Sequence, residues 1–156
     1  MKTMRQQIEA MKRHWPSFEV VDEEIDRAIW FGSLAGIELQ YRVMIEFGLP
    51  APATDDESLW RRFPIVRVLT PPLTPRWDAK EEAPLPHVYF DKLDISLSPL
   101  CLFDPRGGEW SHRDLIAKTT VPWIADWLAC YEGWLATGRW TGGGRHADPN
   151  KKKGKP

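Results

Sequence analysis

The chain has 156 residues and a formal net charge of −1, so it fits one domain and has no general attraction to nucleic acid or acidic lipid. Two cysteines without a Cys-x-x-Cys motif and four scattered histidines argue against a disulfide scaffold and a structural zinc site. There is no signal-peptide core and no uncharged apolar run long enough to span a bilayer. We therefore expect a cytoplasmic protein without metal or cofactor, whose nine tryptophans build a core of large rings.

The first third of the chain predicts a helix followed by strands. Apolar residues recur at helical spacing over residues 2–14, and Pro16 ends that helix. The segments FEVVDEE, RAIWFGSLAG and IELQYRVMIEF predict strands over residues 18–24, 27–36 and 37–47. Strict alternation in the third strand predicts one buried face, and the short connections favour an antiparallel meander.

The middle of the chain predicts one more strand and then irregular structure. FPIVRVLT reads as a fourth strand over residues 63–70. The proline-rich segment that follows, over residues 71–86, predicts an extended crossing over the surface. Residues 87–110 contain only short apolar pieces and are expected to be irregular as well.

The segment VPWIADWLACYEGWLATG predicts a long helix over residues 121–138. Thr120 is a plausible N-cap, Pro122 suits the first turn, and Gly138 suits the C-terminal cap. Two adjoining apolar stripes follow the helix: Trp123, Trp127, Cys130, Trp134 and Ile124, Leu128, Tyr131, Leu135. We expect this helix to be largely buried against the sheet and Cys130 to be an inert core thiol.

The chain shows no internal repeat and no second domain, so we expect one domain over residues 1–146. The basic segment over residues 147–156 is expected to be a flexible, solvated tail. Alternatively, its lysines offer acceptor amines or contact an anionic partner.

Cys101 lies in irregular chain, inside the segment PLCLFDPRGGEW. A loop can lift one side chain into solvent while the neighbouring leucines anchor the backbone beneath it. The local pattern therefore leaves both a structural cysteine and a reactive thiol open. No cysteine–histidine pair has a diagnostic spacing, although His87, His112 and His146 are each able to reach Cys101 in a folded chain.

The order of elements over residues 2–140 resembles that of ubiquitin-conjugating enzymes. Their pattern has a proline-rich segment and a His-Pro-Asn motif before an Ile-Cys-Leu active-site stretch, and a Trp-Ser/Thr-Pro segment and a helix after it. The matching segments here are FPIVRVLTPP, PHVYF, LCLFD and EWSHRDLI. The resemblance implies an α+β fold of the ubiquitin-conjugating (UBC-like) type, with an N-terminal helix, a four-stranded antiparallel meander, an active-site loop and a long buried C-terminal helix.

The segments LCLFDPRGGEW and TTVPWIADWLACYEGWLATGRWTGGGRH more closely resemble the ubiquitin-conjugating-like proteins of CBASS anti-phage operons. This resemblance implies that Cys101 holds the C-terminal glycine of the operon's cyclic-oligonucleotide synthase, a CD-NTase, as a thioester. Transfer of that group to an amine, typically of a lysine, would prime the synthase for anti-phage signalling. The length leaves no room for a fused activating domain, so the chain resembles the stand-alone form, with a separate activating enzyme as a further candidate partner.

The same resemblance points to catalytic residues beside Cys101. His87 is a candidate, with a purely loop-fixing role as the alternative. Asp104 could orient or deprotonate an incoming lysine, or it could simply cap a turn. His146 is a further candidate for acid–base help.

The predicted substrate-binding residues are Arg106, Gly107, Gly108, Trp110, Gly142 and Gly143. Arg106 and the glycine amides are candidates to favour the thiolate, although Arg106 could equally be a turn residue. Trp110 is expected to pack beneath the loop. Residues 142–144 either lie beside the donor tail, where small residues permit close approach, or form a flexible exit to the C-terminal tail.

One departure from the ubiquitin-conjugating pattern bears on function. The sequence reads His87-Val88-Tyr89 where the eukaryotic enzymes have His-Pro-Asn, whose asparagine is assigned to steadying the oxyanion. Backbone N–H groups of the 104–108 turn are candidates to replace it. The missing asparagine keeps a non-catalytic binding module for the synthase open as a second hypothesis. A third is a conjugating enzyme for a separate bacterial ubiquitin-like protein.

Overall fold

A four-stranded antiparallel sheet forms the centre of the fold. The computed structural model describes residues 1–50 and 59–143. The four strands of the sheet are β1 (Glu19–Glu23), β2 (Arg27–Ala35), β3 (Gln40–Gly48) and β4 (Ile65–Thr70). Each strand pairs antiparallel with the next one along the chain. The predicted meander is confirmed, and each strand lies within or close to the range expected from its sequence.

Strand β3 buries one face, as its alternation predicts. Its inward side chains are Tyr41, Val43, Ile45 and Phe47, and all are almost completely buried. The strand begins at Gln40 rather than at residue 37, however, so the predicted start is wrong. Ile37 and Leu39 are 68% and 50% exposed because residues 36–39 form the turn between β2 and β3.

The Glu132 carboxylate holds that turn. It accepts hydrogen bonds from the N–H groups of Ile37, Glu38 and Leu39 at 2.9, 2.7 and 3.2 Å. The Gly36 N–H also donates to the Leu39 carbonyl at 2.7 Å. The N–H groups of Ile37, Glu38 and Leu39 therefore turn toward an acceptor on α3 instead of extending the sheet.

The N-terminal helix α1 (Met4–His14) begins with a capping box between Thr3 and Gln6. Its apolar side chains Met4, Ile8 and Met11 are buried in the core, as predicted. The buried Gln7 amide donates to the Asp114 carbonyl and accepts from the Ile116 N–H, at 2.8 and 3.0 Å. These two bonds fix α1 against the chain that leads into the C-terminal helix.

A four-residue helix, α2 (Leu59–Arg62), precedes β4, and the C-terminal helix is α3 (Thr120–Thr137). Its N-cap is Thr119, so the prediction of Thr120 is wrong: Thr120 belongs to the first turn and is buried. Gly138 ends the helix as predicted, with φ +72° and its N–H donating to Trp134 O at 2.7 Å.

The proline-rich crossing packs along α3. The Trp134 indole N–H donates to the Glu81 carbonyl at 2.8 Å, and an Arg76 Nη donates to Leu135 O at 3.0 Å. After the crossing, residues 95–97 and 116–118 form short 3-10 helices. Between them lie residues 99–110, which we call the cysteine loop. Within the described residues, no helix is long and apolar enough to cross a membrane.

Candidate functional site

Backbone hydrogen bonds hold Cys101 beside the sheet. The Leu100 N–H donates to the carbonyl of Val66 in β4 at 2.9 Å, and the Leu100 side chain is buried. The Cys101 N–H donates to His87 O at 2.8 Å, and Val88 forms an antiparallel bridge with Leu100. Leu100 therefore anchors the backbone, while the neighbouring Cys101 side chain stays half-buried at the surface.

The thiol of Cys101 has two polar neighbours in the described structure. Sγ lies 3.7 Å from Tyr89 Oη and 3.8 Å from the Phe103 carbonyl oxygen. Burial raises the pKa of the Cys101 thiol, the Tyr89 hydrogen bond lowers it, and the carboxylates of Asp104 and Glu109 raise it further. The net shift is upward. The charges acting on the sulfur are thus carboxylates and not the Arg106 guanidinium, and the polar contact that favours the thiolate comes from Tyr89.

A groove of about 460 Å³ opens beside Cys101, between the cysteine loop and α3, and we call it the Cys101 groove. Its lining combines both cysteines with three carboxylates and three indole rings. The lining residues are His87, Cys101, Leu102, Phe103, Asp104, Gly107, Glu109, Trp123, Asp126, Trp127, Cys130, Trp140, Gly142 and Gly143. This arrangement can admit a peptide segment or a cationic side chain to the thiol.

His87 lies at one side of the Cys101 groove. It is only 5% exposed, and its backbone adopts φ +44°. The imidazole stacks on the Trp140 indole, with ring centroids 5.1 Å apart, and its Nε2 lies 3.9 Å from Glu82 Oε1. Its carbonyl accepts a hydrogen bond from the Cys101 N–H. His87 and Cys101 are therefore paired through the backbone, and both line the groove.

The turn after Cys101 is held by its own acceptors. Asp104 Oδ1 accepts from the Arg106 N–H, and Asp104 O accepts from the Gly107 N–H, both at 2.9 Å. The Asp104 N–H donates to Glu109 Oε2 at 3.2 Å. Three of the N–H groups considered for an oxyanion are therefore engaged within the turn. Asp104 and Gly107 line the groove, whereas Arg106 and Gly108 are exposed turn residues outside its lining.

Trp110 supports the cysteine loop from below. Its side chain is 8% exposed and packs on Phe47, Phe103 and His112, at ring-centroid distances of 5.4, 6.4 and 5.2 Å. It is not among the lining residues of the Cys101 groove, and its substrate-binding role stays a prediction. His112 Nε2 lies 2.9 Å from the Arg61 carbonyl oxygen and is also absent from the lining.

The chain after α3 closes the far side of the Cys101 groove. Gly142 and Gly143 both line it, and a Cβ on Gly142 would come within 2.9 Å of the Trp140 indole. A side chain at position 142 would therefore displace that ring. Gly144, His146 and the predicted tail over residues 147–156 lie outside the described residues.

The expectation that Cys130 is a sealed core thiol is wrong. Cys130 is half-buried and lines the same groove as Cys101. Trp123, Trp127 and Cys130 of one stripe line the groove, whereas Trp134 of the same stripe is fully buried, as are Ile124 and Leu128 of the adjoining stripe. Both stripes are apolar, so their composition could not distinguish a groove-lining face from a core face.

Sequence reasoning missed Tyr89, the polar side chain in contact with the sulfur. Its position, two residues after His87, matches that of the asparagine in the His-Pro-Asn motif, and this was the available signal. It also missed the groove-lining roles of Trp140 and Asp126. Among the described residues, no group of three or more His, Cys, Asp or Glu side chains is arranged to hold a metal ion.

Comparison with known families bears directly on this site. The model of a family described as Type II CBASS E2 protein matches residues 7–147, a span that includes the cysteine loop, α3 and the groove-lining glycines. The chain belongs to this family. Membership confirms the resemblance to CBASS conjugating-like proteins and indicates an E2-like role in association with other CBASS components. A search of the curated proteins finds no match to this CBASS E2 chain.

Proposed function

We propose that this CBASS E2 protein is a cysteine-dependent conjugating enzyme of the reducing cytoplasm. In this proposal Cys101 attacks an activated carboxyl terminus, carries it as a thioester, and passes it to an amine. The observation that carries the proposal is the half-exposed Cys101 thiol beside a groove, on a backbone anchored to β4. A thioester suits this task because an amine attacks it readily and the leaving sulfur is regenerated for another cycle.

The donor that we propose is the C-terminal glycine of a CD-NTase, delivered as an activated acyl group by a separate activating enzyme. Three glycines, Gly107, Gly142 and Gly143, line the Cys101 groove, and small residues let an extended peptide backbone approach closely. The indole of Trp140 forms an apolar surface beside them. Such a groove suits a tail that ends in a residue without a side chain.

The acceptor that we propose is a lysine amine. Asp104, Glu109 and Asp126 line the Cys101 groove, and their negative charge attracts a protonated amine. Asp104 is the candidate to orient that amine and to draw off its proton. In this scheme His87 is a positioning residue, because its carbonyl holds the Cys101 backbone and its ring holds the Trp140 indole.

Matched cysteine variants test the proposal. The protein is expressed in cells together with its neighbouring operon genes, and covalent conjugates are measured by intact mass and peptide mapping. Cys101→Ala is expected to abolish conjugate formation. Cys130→Ala, which removes the other thiol of the same groove, is expected to retain it. Conjugates that persist in Cys101→Ala would contradict the assignment.

A second candidate function is a non-catalytic binding module for the synthase. The upward shift of the Cys101 pKa favours it, because fewer molecules carry the reactive thiolate at neutral pH. In that case, capture of the synthase would survive Cys101→Ala, and no covalent adduct would be found in the wild-type protein by mass spectrometry.

A further inference from the structure

We propose that Tyr89 is a catalytic residue whose hydroxyl donates a hydrogen bond to the sulfur anion of Cys101 when that sulfur attacks and when it leaves. The inference rests on the proposed function for the transfer reaction. Its first part, stabilisation of the thiolate, concerns the free protein and is tested without any partner.

Backbone pairing brings the two side chains together. The Tyr89 N–H donates to Pro99 O and the Cys101 N–H donates to His87 O, both at 2.8 Å, on either side of the bridge between Val88 and Leu100. In an antiparallel pair, residues on either side of a bridge project from the face opposite to the bridge residues. Tyr89 and Cys101 are diagonal neighbours on that face, and a tyrosine is long enough to span the diagonal.

The neutral Cys101 thiol donates to the Tyr89 hydroxyl, and because a hydroxyl both accepts and donates, it can reverse that bond once the sulfur is an anion. Tyr89 Oη lies 3.7 Å from Cys101 Sγ. The other polar contact of Sγ in the described structure is the Phe103 carbonyl at 3.8 Å, and a carbonyl only accepts hydrogen bonds. The hydroxyl is therefore the group in direct contact that is able to donate to an anionic sulfur.

The charge around the sulfur makes this donor important. Asp104 and Glu109 both raise the pKa of Cys101, in the same direction as burial, whereas the Tyr89 hydrogen bond opposes them. Burial and the contact with Cys101 raise the pKa of Tyr89 itself, so the hydroxyl keeps its proton at neutral pH. Tyr89 consequently acts as a donor and not as a base.

The reaction balances with Tyr89 unchanged. In loading, the Cys101 thiolate attacks the carbonyl carbon, a carbon–sulfur bond forms, and the leaving group of the activated donor departs with its electron pair. In transfer, an amine nitrogen attacks the same carbon, a carbon–nitrogen bond forms, and the carbon–sulfur bond breaks with its electrons returning to sulfur. The proton released by the amine passes to a carboxylate of the groove or to water. The hydroxyl stabilises the sulfur anion in both steps.

The test compares wild-type protein with Tyr89→Phe. Because Tyr89 is 43% exposed, the phenyl ring can occupy the same position without disturbing the core. Alkylation of Cys101 by iodoacetamide is followed from pH 6 to about pH 11 by peptide mapping, which separates it from Cys130. We expect the midpoint of alkylation to move to higher pH in Tyr89→Phe. Conjugation in cells is expected to slow by about tenfold or more, as for loss of a hydrogen bond to a charged group.

Tyr41→Phe is the matched control, because it removes a tyrosine hydroxyl that lies beside Glu132. Its alkylation midpoint at Cys101 is expected to equal that of the wild type. An unchanged midpoint in Tyr89→Phe would overturn the inference. The proposed function fails on a different readout, the absence of any conjugate at Cys101 in wild-type cells, so the two failures are distinguishable.

Discussion

Cys101 and Cys130 line one groove but differ in what holds them. Cys101 follows an anchored leucine in a loop and has a hydroxyl within reach of its sulfur, whereas Cys130 belongs to the backbone of α3. Loop residues carry chemistry more often than helix residues of an apolar stripe, because a loop can aim one side chain independently. This difference in setting, and not a difference in burial class, separates the two thiols.

Replacement of Asp104 is predicted to increase ionisation of the Cys101 thiol and to slow acyl transfer to lysine. Its carboxylate raises the pKa of Cys101, so Asp104→Asn lowers that pKa and increases the thiolate fraction at neutral pH. We expect alkylation of Cys101 by iodoacetamide at about pH 7 to become several-fold faster. If Asp104 also orients the acceptor amine, transfer to lysine becomes slower in the same variant.

Asp126→Asn serves as the control for that experiment. Asp126 lines the groove from α3, but it is not among the groups that shift the Cys101 pKa. Its replacement is expected to leave the alkylation profile of Cys101 unchanged. Slower alkylation in Asp104→Asn would contradict the electrostatic account of the sulfur.

At the scale of elements, Glu132 ties α3 to the turn between β2 and β3. Burial by itself raises the pKa of Glu132, but hydrogen bonds from the backbone N–H groups of Glu38, Leu39 and Ile37, together with the nearby Tyr41 hydroxyl, outweigh it, and the net shift is downward. Because folding lowers the pKa of this carboxyl, the ionised group stabilises the folded protein at pH values above its ordinary pKa of 4.5. That stabilisation is lost as the pH falls through the folded-state pKa.

Glu132→Gln is therefore expected to lower the free energy of unfolding by about 1 kcal/mol at neutral pH, because a neutral amide replaces a charged acceptor. Urea unfolding at neutral and acidic pH measures the effect. The difference between the variant and the wild type is expected to shrink as the pH falls below 4.5, because the carboxyl takes up a proton first in the unfolded chain and then, at its lowered pKa, in the folded protein. A difference that grows with falling pH would show that the carboxylate does not hold the turn.

At the scale of the whole molecule, periodicity predicted the order of elements but not the faces they present. The alternation of β3 and the C-terminal glycine cap of α3 are local signals, so the meander and the C-terminal helix were predictable, although the N-cap was predicted one residue late. The turn at residues 36–39 depends on Glu132, which is distant in sequence, and no local pattern reveals it. The Cys101 groove likewise combines residues from four separate segments. Its acidic lining and the position of Cys130 in it therefore could not be predicted from local sequence patterns.

A serine variant tests most directly whether position 101 carries an acyl group. Cys101→Ser, produced in cells with the neighbouring operon genes, replaces a labile thioester with a more stable oxyester. The account predicts an adduct whose mass equals that of the variant plus a partner protein minus one water, joined through position 101 to the partner's C-terminal carboxyl. The account would be contradicted if the partner is present but the intact-mass spectra of both Cys101→Ser and the wild-type protein show only the unmodified chain.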